Sequence, residues 1–322
     1  MNYFYDLARA VASGDIPAAE DLERLLSLPY TRVNSLLPGA DMLRRKYFEN
    51  KISLCTITNA KSGKCGEDCA FCAQSAYHGA YAEEYPLRKG RELAEIGKSV
   101  AGSAIKRFSM VTSGRSVNSD EIQEIAAAAR ELEGSGVRAC ASLGILESAD
   151  LDHLKRAGLE RYHHNLETAP RFFPRICTTH DIGERIRTVN NAKQAGLSVC
   201  SGGVFGIGET DADVVELAQL LRNLDVDAVP VNFLVPVPGT PLENMPRLTP
   251  LRCLKIISLI RYIIPDKEII ICGGRIENLR ELHPFIFMAG ASGIMTGNYL
   301  TTKGRTLEED TRLIRDLGLE TG

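Results

Sequence analysis

Three cysteines lie close together in the segment KSGKCGEDCAFCAQSAYH, where Cys65, Cys69 and Cys72 have the spacing C-x3-C-x2-C. Thiolates this close on one loop can hold a single metal centre. Zinc prefers four ligands, and Cys55 and His78 are the nearby candidates for a fourth. Three thiolates alone instead suit a four-iron cluster that leaves one iron open to another ligand. The spacing therefore favours an iron–sulfur centre, with a structural zinc site as the alternative.

Composition and charge exclude several other classes of protein. The chain has 322 residues, 44% of them hydrophobic, so it is too long for a disulfide-stapled miniprotein and too apolar for a disordered chain. A net charge of -3 offers no broad basic surface for nucleic acid or an anionic membrane, and no apolar run is long enough for a spanning helix. Asp6 and Arg9 interrupt the apolar start, unlike a secretory signal. We therefore expect a cytoplasmic protein, in which nine cysteines indicate metal or redox chemistry rather than disulfides.

From residue 51 onward, strand-like and helix-like segments alternate. The strand-like segments cover residues 51–58, 107–114, 137–144, 161–168, 197–208, 227–237, 268–274 and 291–300. Helical periodicity follows each of them and is clearest over residues 119–132, 211–224 and 251–264. Such alternation implies right-handed crossovers and a parallel sheet. Eight repeats predict an α/β fold, a (β/α)8 TIM-type barrel over residues 51–322, with an N-terminal helical extension over residues 1–50; a doubly wound open sheet is the alternative.

One face of the predicted strands carries small or polar side chains where a barrel normally carries Val, Ile and Leu. Side chains two residues apart share a face of a strand, which groups the following residues: Ser109, Cys140, Ser142, His163, Asn165, Glu167, Cys200, Gly202, Asn232, Cys272 and Gly274. The opposite choice would point these polar groups at the helix layer. We therefore expect this face to point inward, so that the interior is a cavity that binds a ligand.

The cysteine loop resembles that of the radical S-adenosylmethionine superfamily, and nearly the whole chain resembles the biotin synthase family. The second resemblance is carried by the segments ACASLG, HHNLET, CSGGVFGIGET, VNFLVPVPGTPL and FMAGASGIMTGNYLTT. It implies a [4Fe–4S] cluster on Cys65, Cys69 and Cys72 whose open iron binds S-adenosylmethionine, and sulfur insertion into dethiobiotin to form biotin. It also implies a second iron–sulfur cluster as the sulfur source, an electron donor such as flavodoxin or ferredoxin, and a homodimer.

The same resemblance implies which residues contact the cofactor and the substrate. Phe71 is expected at the adenine through its backbone, and Arg185 at the methionine carboxylate. Glu167 stands where the family usually has an aspartate for the ribose hydroxyls, so its carboxylate extends one methylene further. Asn165 and Asn232 are expected to hold the ureido ring of dethiobiotin, whose amide-like donors and acceptors suit asparagine side chains.

Other residues carry weaker signals. Gly202 and Gly203 belong to the glycine-rich segment GGVFGIG and are expected to let the backbone approach the cofactor. A glycine-rich turn is common at a strand end, so this segment is not specific on its own. His153, His180 and His283 are expected at the surface or at helix caps.

The sequence departs from the family pattern at the second cluster. The usual arrangement in the family is a two-iron cluster held by three cysteines and one arginine. Cys140 and Cys200 match two of these cysteines, but Ser109 stands in place of the third and Ile270 in place of the arginine. An isoleucine side chain has no donor atom for iron, so the usual cluster cannot form here.

Two further cysteines could complete a different second cluster. Cys272 lies on the seventh predicted strand, two residues beyond Ile270 and on the same face, and Cys177 follows the fourth, at the barrel end where active sites lie. We predict an auxiliary cluster held only by Cys140, Cys177, Cys200 and Cys272, a four-iron cluster with [2Fe–2S] as the alternative. If Cys177 and Cys272 are only buried small residues, this prediction fails. Cys55 is assigned to the barrel wall.

Two other functions fit parts of the pattern. A related radical enzyme, such as a hydrogenase maturase or a methylornithine synthase, shares the first cysteine loop, and product analysis with dethiobiotin would separate it. A non-catalytic iron–sulfur or zinc protein would explain the cysteines but not the cofactor-facing positions. Failure to cleave S-adenosylmethionine under anaerobic reduction would favour that second alternative.

Overall fold

The computed structural model describes residues 3–298 and 304–322 and shows a sheet closed into a barrel inside a layer of helices. The strands are β1 Lys51–Lys61, β2 Arg107–Thr112, β3 Arg138–Ser142, β4 Arg161–His163, β5 Ser198–Cys200, β6 Gly203–Phe205, β7 Ala228–Phe233, β8 Glu268–Ile271, β9 Gly293–Met295 and β10 Glu320–Thr321. Tyr299 and Leu300, which end the last segment predicted as a strand, lie outside the described residues.

The barrel strands are parallel and follow the order of the chain. The strands β1, β2, β3, β4 and β5 pair in that order. Both β5 and β6 then pair with β7, and β8 and β9 complete the circle. Ser53 of β1 pairs with Gly293 of β9, which closes the sheet. Because β5 and β6 act as one interrupted strand, eight positions are filled around the barrel, and the predicted (β/α)8 fold is confirmed. β10 only extends the start of β1.

The helices lie before the first strand and between successive strands. They are α1 Tyr3–Ala12, α2 Ala19–Ser27, α3 Leu37–Phe48, α4 Gly90–Lys98, α5 Ser119–Leu132, α6 Ser148–Arg156, α7 Ile182–Gln194, α8 Asp211–Asn223, α9 Pro250–Ile263, α10 Arg275–Leu279 and α11 Leu307–Asp316. Three short 3₁₀ segments accompany them, Tyr30–Ser35, Phe173–Arg175 and Arg280–Ile286. Across residues 3–298 and 304–322, none of these helices combines the length and apolar character needed to cross a membrane.

The helices α1, α2 and α3 precede the barrel and pack against its outer layer. Phe4, Leu25 and Leu43 share one hydrophobic core with Ile260 of α9. The hydroxyl of Tyr262, also on α9, donates to the carbonyl of Phe4 at 2.9 Å. Since this core continues without a break from the first three helices into the barrel layer, a domain boundary at residue 50 stays a prediction.

Capping boxes fix where the helices near the barrel mouth begin. The Oδ1 of Asn118 accepts from the Glu121 backbone N–H at 2.9 Å at the start of α5. The Oδ1 of Asp181 accepts from the Glu184 backbone N–H, also at 2.9 Å, at the start of α7. Such caps satisfy backbone donors that the helix itself leaves unpaired. The cap at Asp181 therefore fixes the position of Arg185, one residue beyond the box.

A buried ion pair anchors the last helix to the barrel. The side chains of Arg275 on α10 and Asp310 on α11 are fully buried, and their Nη2 and Oδ2 atoms lie 2.5 Å apart. The same guanidinium donates to the carbonyl of Met295 on β9 at 3.2 Å. The pair therefore ties α11 to the strand that closes the barrel.

We expect Asp310→Ala to lower the free energy of unfolding by about 3–5 kcal/mol, because the buried guanidinium of Arg275 and the guanidinium of Arg305 both lose this carboxylate. Asp316→Ala, at an exposed position of the same helix, is the matched control and should leave the free energy nearly unchanged. Urea unfolding of the cluster-free chain, followed by circular dichroism, measures both. Equal effects of the two substitutions would show that the buried pair does not stabilise the fold.

Candidate active site

The barrel encloses a cavity of about 450 Å³ at the carboxyl ends of its strands. The site residues predicted from the sequence that line it are Cys65, Cys69, Phe71, Cys72, Asn165, Glu167, Arg185, Asn232 and Cys272. A smaller space of about 40 Å³ is lined by Cys55, Cys200 and Cys272, among others. Because Cys272 borders both, the two spaces are adjacent. The barrel interior is thus a chamber, as the polar strand faces predict.

The cysteine loop follows β1 and lies at the mouth of the chamber. Within the loop, the Cys72 N–H donates to the carbonyl of Cys69 at 2.9 Å. The Ala70 N–H donates to the carbonyl of Ile176 at 2.8 Å, which fastens the loop to the segment after β4. Cys65, Cys69 and Cys72 all line the cavity. The loop therefore presents three thiols to one space, which suits an iron–sulfur centre.

Cys177 lies beside this loop, so its predicted place in the auxiliary cluster is wrong. Its Sγ is 3.8 Å from the Sγ of Cys69. Both cysteines pack in an apolar cluster with Phe173, whereas Cys200 and Cys272 belong to a separate buried cluster. The physical reason is local, because the chain after β4 turns back through the 3₁₀ segment that begins at Phe173 and sets Cys177 against the loop.

Three other cysteines line the smaller space. They are Cys55 on β1, Cys200 on β5 and Cys272 directly after β8. Cys140 lies on β3 and pairs with Arg161 of β4, which also lines the space. Burial raises the pKa of Cys272, and it raises the pKa of Cys140 to about 12. Because Cys55 packs on the cluster that contains Cys200 and Cys272, it lies with the interior cysteines.

Two arginines border the same small space. Arg107 on β2 and Arg161 on β4 both line it, and both pair with Glu268 on β8. The Nη1 of Arg107 lies 3.5 Å from the Oε1 of Glu268, and the Nη1 of Arg161 lies 2.7 Å from its Oε2. Burial raises the pKa of Cys140, and the positive charges of these two arginines partly offset that rise. Ile270 also lines the space. The arginine that the family pattern places at residue 270 is therefore absent, but two arginines from other strands supply positive charge nearby.

A compact group of donor atoms is formed at the mouth by Cys69, Cys177 and His180, all within 4.8 Å of one another. The Nε of Arg185 donates to the Nε2 of His180 at 2.8 Å. Arginine has no acceptor atom, so Nε2 must keep its lone pair and Nδ1 must carry the proton. Because Nδ1 is the nitrogen that faces the Cys177 Sγ, at 3.2 Å, this tautomer cannot bind a metal there. The group is therefore a hydrogen-bonded network rather than a zinc site.

The thiol of Cys177 is polarised by this network. The hydrogen bond from Cys69 lowers the pKa of Cys177, burial acts against it, and His180 and Thr179 lower it further. The same hydrogen bond raises the pKa of Cys69, and burial raises it too.

Glu167 and Arg185 form a charged wall in the cavity. The Nη1 of Arg185 donates to the carbonyl of Asn165 at 2.8 Å and lies 3.6 Å from the Oε1 of Glu167. Burial raises the pKa of Glu167, and Arg185 opposes this shift. The Oε2 of Glu167 is buried and has no hydrogen-bond partner in the described part of the chain. The backbone φ of Glu167 is +69°, a strained conformation that recurs at ligand sites. An unsatisfied carboxylate oxygen in a cavity wall suits a ligand that brings hydroxyl donors.

Gly202 and Gly203 lie where a side chain would collide with neighbouring backbone. A Cβ on Gly202 would lie 2.0 Å from the carbonyl oxygen of Pro230 on β7. A Cβ on Gly203 would lie 2.4 Å from the carbonyl oxygen of Glu167. The missing side chains therefore let this interrupted strand pack against its neighbours, and the expected approach of these glycines to a cofactor stays a prediction.

Asn165 and Asn232 both line the cavity and are both oriented by the backbone. The Oδ1 of Asn232 accepts from the Gly273 N–H at 3.0 Å, and its Nδ2 donates to the carbonyl of Gly203 at 3.3 Å. The Oδ1 of Asn165 accepts from the Gly202 N–H at 3.2 Å. An amide group has two donor hydrogens and two acceptor lone pairs, so each side chain keeps capacity for a ligand.

The histidines lie deeper than the sequence indicates. His180 and His283 are buried, so their expected surface or capping position is wrong. Asp181, not His180, caps α7. His283 contacts the Nη1 of Arg275 at 2.6 Å. The isolated histidines give no periodic signal, because the first lies in the irregular segment before α7 and the second in a 3₁₀ segment.

Comparison with known proteins places the chain among its relatives. Residues 60–221 match the family model described as the Radical SAM superfamily, and residues 230–320 match the Biotin and Thiamin Synthesis associated domain. The chain is 52% identical to the biotin synthase of Desulfatibacillum aliphaticivorans, over 98% of this chain and 96% of that protein. It is 50% identical to the biotin synthase of Trichlorobacter lovleyi, over 97% and 95% of the two chains. The chain belongs to the biotin synthase family.

Membership of the biotin synthase family confirms the radical chemistry predicted from the cysteine loop, with its [4Fe–4S] cluster and S-adenosylmethionine. Among solved structures, the crystal structure of a methylornithine synthase is similar, with a TM-score of 0.86 and 22% identity, and the match covers 98% of this chain and 97% of that one. At this identity the likeness shows the fold alone. The level of identity to biotin synthases therefore favours this family over the related radical enzymes and over a non-catalytic iron–sulfur protein.

Proposed function

We propose that the chain converts dethiobiotin to biotin by inserting a sulfur atom, with Cys55 in place of Cys177 at the sulfur source. The observation that carries this proposal is the arrangement of a single chamber. Three loop cysteines lie at its mouth beside a cavity of about 450 Å³, and three interior cysteines line the adjoining small space, with Cys140 on a strand next to it. A substrate in that cavity would contact both sets of cysteines.

The mouth of the chamber suits the cluster and S-adenosylmethionine. Cys65, Cys69 and Cys72 would hold the [4Fe–4S] cluster, which supplies with S-adenosylmethionine the one-electron chemistry that removes hydrogen from an unactivated C–H bond. Arg185 brings a positive charge to the methionine carboxylate. Glu167 offers its unpartnered Oε2 to the ribose hydroxyls. The residues present therefore fit the group that the family uses.

The interior cysteines suit a four-iron auxiliary cluster. Cys55, Cys140, Cys200 and Cys272 supply four thiolates, the usual complement of such a cluster. They lie on or directly after four different strands, so they surround the space rather than converge on one ion. Each cysteine of a four-iron cluster binds a different iron, which requires this wider arrangement. The guanidinium groups of Arg107 and Arg161, with Glu268 behind them, face the negative charge of the four thiolates.

The substrate position follows from the polar groups between the two sets of cysteines. Asn165 and Asn232 face the cavity with backbone-fixed amides, which match the ureido ring of dethiobiotin. Phe71, within the cysteine loop, lines the same cavity, where its backbone would meet the adenine. The two asparagines therefore orient the substrate, and the barrel wall keeps water from the reacting carbons.

Anaerobic turnover of the reconstituted chain tests this function. With dethiobiotin, S-adenosylmethionine and a chemical reductant, we expect biotin and about two molecules of 5′-deoxyadenosine per biotin, because two C–H bonds must be opened. Mass spectrometry measures both products. Cleavage of S-adenosylmethionine without biotin would favour a related radical enzyme, and the absence of cleavage would favour a non-catalytic iron–sulfur protein.

Two further parts of the proposal concern partners. An electron donor such as flavodoxin or ferredoxin would replace the chemical reductant, and the assay can be repeated with each protein in turn. A homodimer is the expected assembly, and light scattering coupled to gel filtration of the cluster-loaded chain measures its mass. A monomer of about 35 kDa would refute the dimer without affecting the proposed reaction.

A further inference from the structure

A chain of hydrogen bonds links the cysteine loop to the cavity wall. Glu67 lies in the loop between Cys65 and Cys69, and its carboxylate contacts the Nδ1 of His180. The Nε2 of His180 accepts from the Nε of Arg185 at 2.8 Å. The chain of contacts therefore runs from the loop that would hold iron to the guanidinium that would hold the methionine carboxylate.

The packing around His180 allows this network one arrangement. Glu67 also accepts from the hydroxyl of Thr179, so its carboxylate has partners on two consecutive residues of the segment before α7. The ring of Phe173 lies edge-on to His180, with 5.5 Å between centroids, and 5.6 Å from the guanidinium carbon of Arg185. Because arginine can only donate, one neutral tautomer of His180 satisfies both contacts, with Nε2 accepting and Nδ1 donating.

We propose that His180 is a positioning residue that holds the guanidinium of Arg185 toward the methionine carboxylate, with Glu67 as its link to the cysteine loop. This inference rests on the proposed contact between Arg185 and S-adenosylmethionine. The carboxylate of the methionine has to reach the open iron and Arg185 together. A fixed distance between the loop and the guanidinium therefore favours binding, because less freedom is lost when the ligand arrives.

Two substitutions of His180 distinguish the role of its Nε2 from the role of its Nδ1. In His180→Gln, the amide oxygen reaches the position of Nε2 and can accept from Arg185. In His180→Asn, the shorter side chain reaches only the position of Nδ1. Equilibrium dialysis of the full-length, cluster-loaded chain measures the dissociation constant of S-adenosylmethionine and, separately, of 5′-deoxyadenosine, which has no carboxylate.

We expect His180→Asn to weaken binding of S-adenosylmethionine about tenfold, because Arg185 loses an acceptor. His180→Gln should recover part of this loss, to within about threefold of the unmodified chain, because it keeps the acceptor for Arg185 but loses the donor to Glu67. Both variants should bind 5′-deoxyadenosine as the unmodified chain does. The rescue by glutamine is the decisive readout, since a merely structural histidine would not distinguish the two amides by length.

Three results would overturn the inference. His180→Asn could bind S-adenosylmethionine like the unmodified chain, it could weaken 5′-deoxyadenosine equally, or either variant could lose iron from the first cluster. Arg185→Gln separates this inference from the proposed function. If Arg185→Gln leaves the affinity for S-adenosylmethionine unchanged, the proposed role of Arg185 itself is wrong. If Arg185→Gln weakens binding and His180→Asn does not, only the positioning role of His180 is overturned.

Discussion

The Cys55→Ala variant is expected to cleave S-adenosylmethionine but to form no biotin. Cys55 lines the smaller interior space with Cys200 and Cys272, away from the cysteine loop that would hold the first cluster. Alanine has no donor atom for iron, so the auxiliary cluster loses one of four ligands. Iron analysis should show about four rather than about eight atoms per chain, and Mössbauer spectroscopy should show one cluster type.

The matched control for this experiment is Cys177→Ala. Cys177 lies 3.8 Å from Cys69 and outside the interior set, so about eight irons and biotin formation should both persist. Cys253→Ala removes a buried thiol from α9, remote from both sets, and controls for the loss of packing. Loss of the auxiliary cluster from Cys177→Ala but not from Cys55→Ala would restore the assignment made from the sequence.

Removing the carboxylate of Glu167 should weaken binding of S-adenosylmethionine about a hundredfold. Two ribose hydroxyls donating to a carboxylate form charge-assisted hydrogen bonds, and Glu167→Ala removes both. The same substitution leaves the half-buried Arg185 without the carboxylate 3.6 Å away, so we expect it to lower the stability of the ligand-free chain as well. Anaerobic equilibrium dialysis measures the affinity, and thermal unfolding of the cluster-free chain measures the stability.

Glu167→Asp is the natural comparison, because it keeps the carboxylate and withdraws it by one methylene. Aspartate also tolerates the left-handed backbone of this position, where φ is +69°, better than most residues. We therefore expect a smaller loss than for alanine, of about tenfold or less. If Glu167→Ala binds S-adenosylmethionine as tightly as the unmodified chain does, the ribose does not bind at this wall of the cavity.

The barrel can be predicted because strand-like and helix-like segments alternate along the sequence, and polar residues mark where many of them begin. The strand β2 and the helix α5 begin at the residues expected, Arg107 and Ser119. Strand ends are harder. Residues 161–168 have the composition of one strand, yet β4 ends at His163, because the chain beyond it turns into the cavity and gives Glu167 a positive φ. Side-chain pattern cannot show where backbone pairing stops.

The first cysteine set can be predicted in full from the sequence, whereas the interior set cannot. Three ligands of one loop are local in sequence, whereas the interior set draws on strands far apart. Strand parity did contain a signal for Cys55, since Ile52 and Leu54 belong to the main core while Cys55 and Ile57 pack on the interior cluster. Cys177 lies in an irregular segment, where no periodicity indicates direction.

Closure of the barrel by its first and last strands determines when each metal site can be assembled. The cysteine loop of residues 65–72 is complete early in synthesis. The interior wall needs Cys272 and the seam where Ser53 meets Ser292, which are 239 residues apart in the chain. Long-range pairing of this kind waits until the ribosome has delivered both partners. An auxiliary cluster at this wall could therefore be installed only once nearly the whole chain has been synthesised.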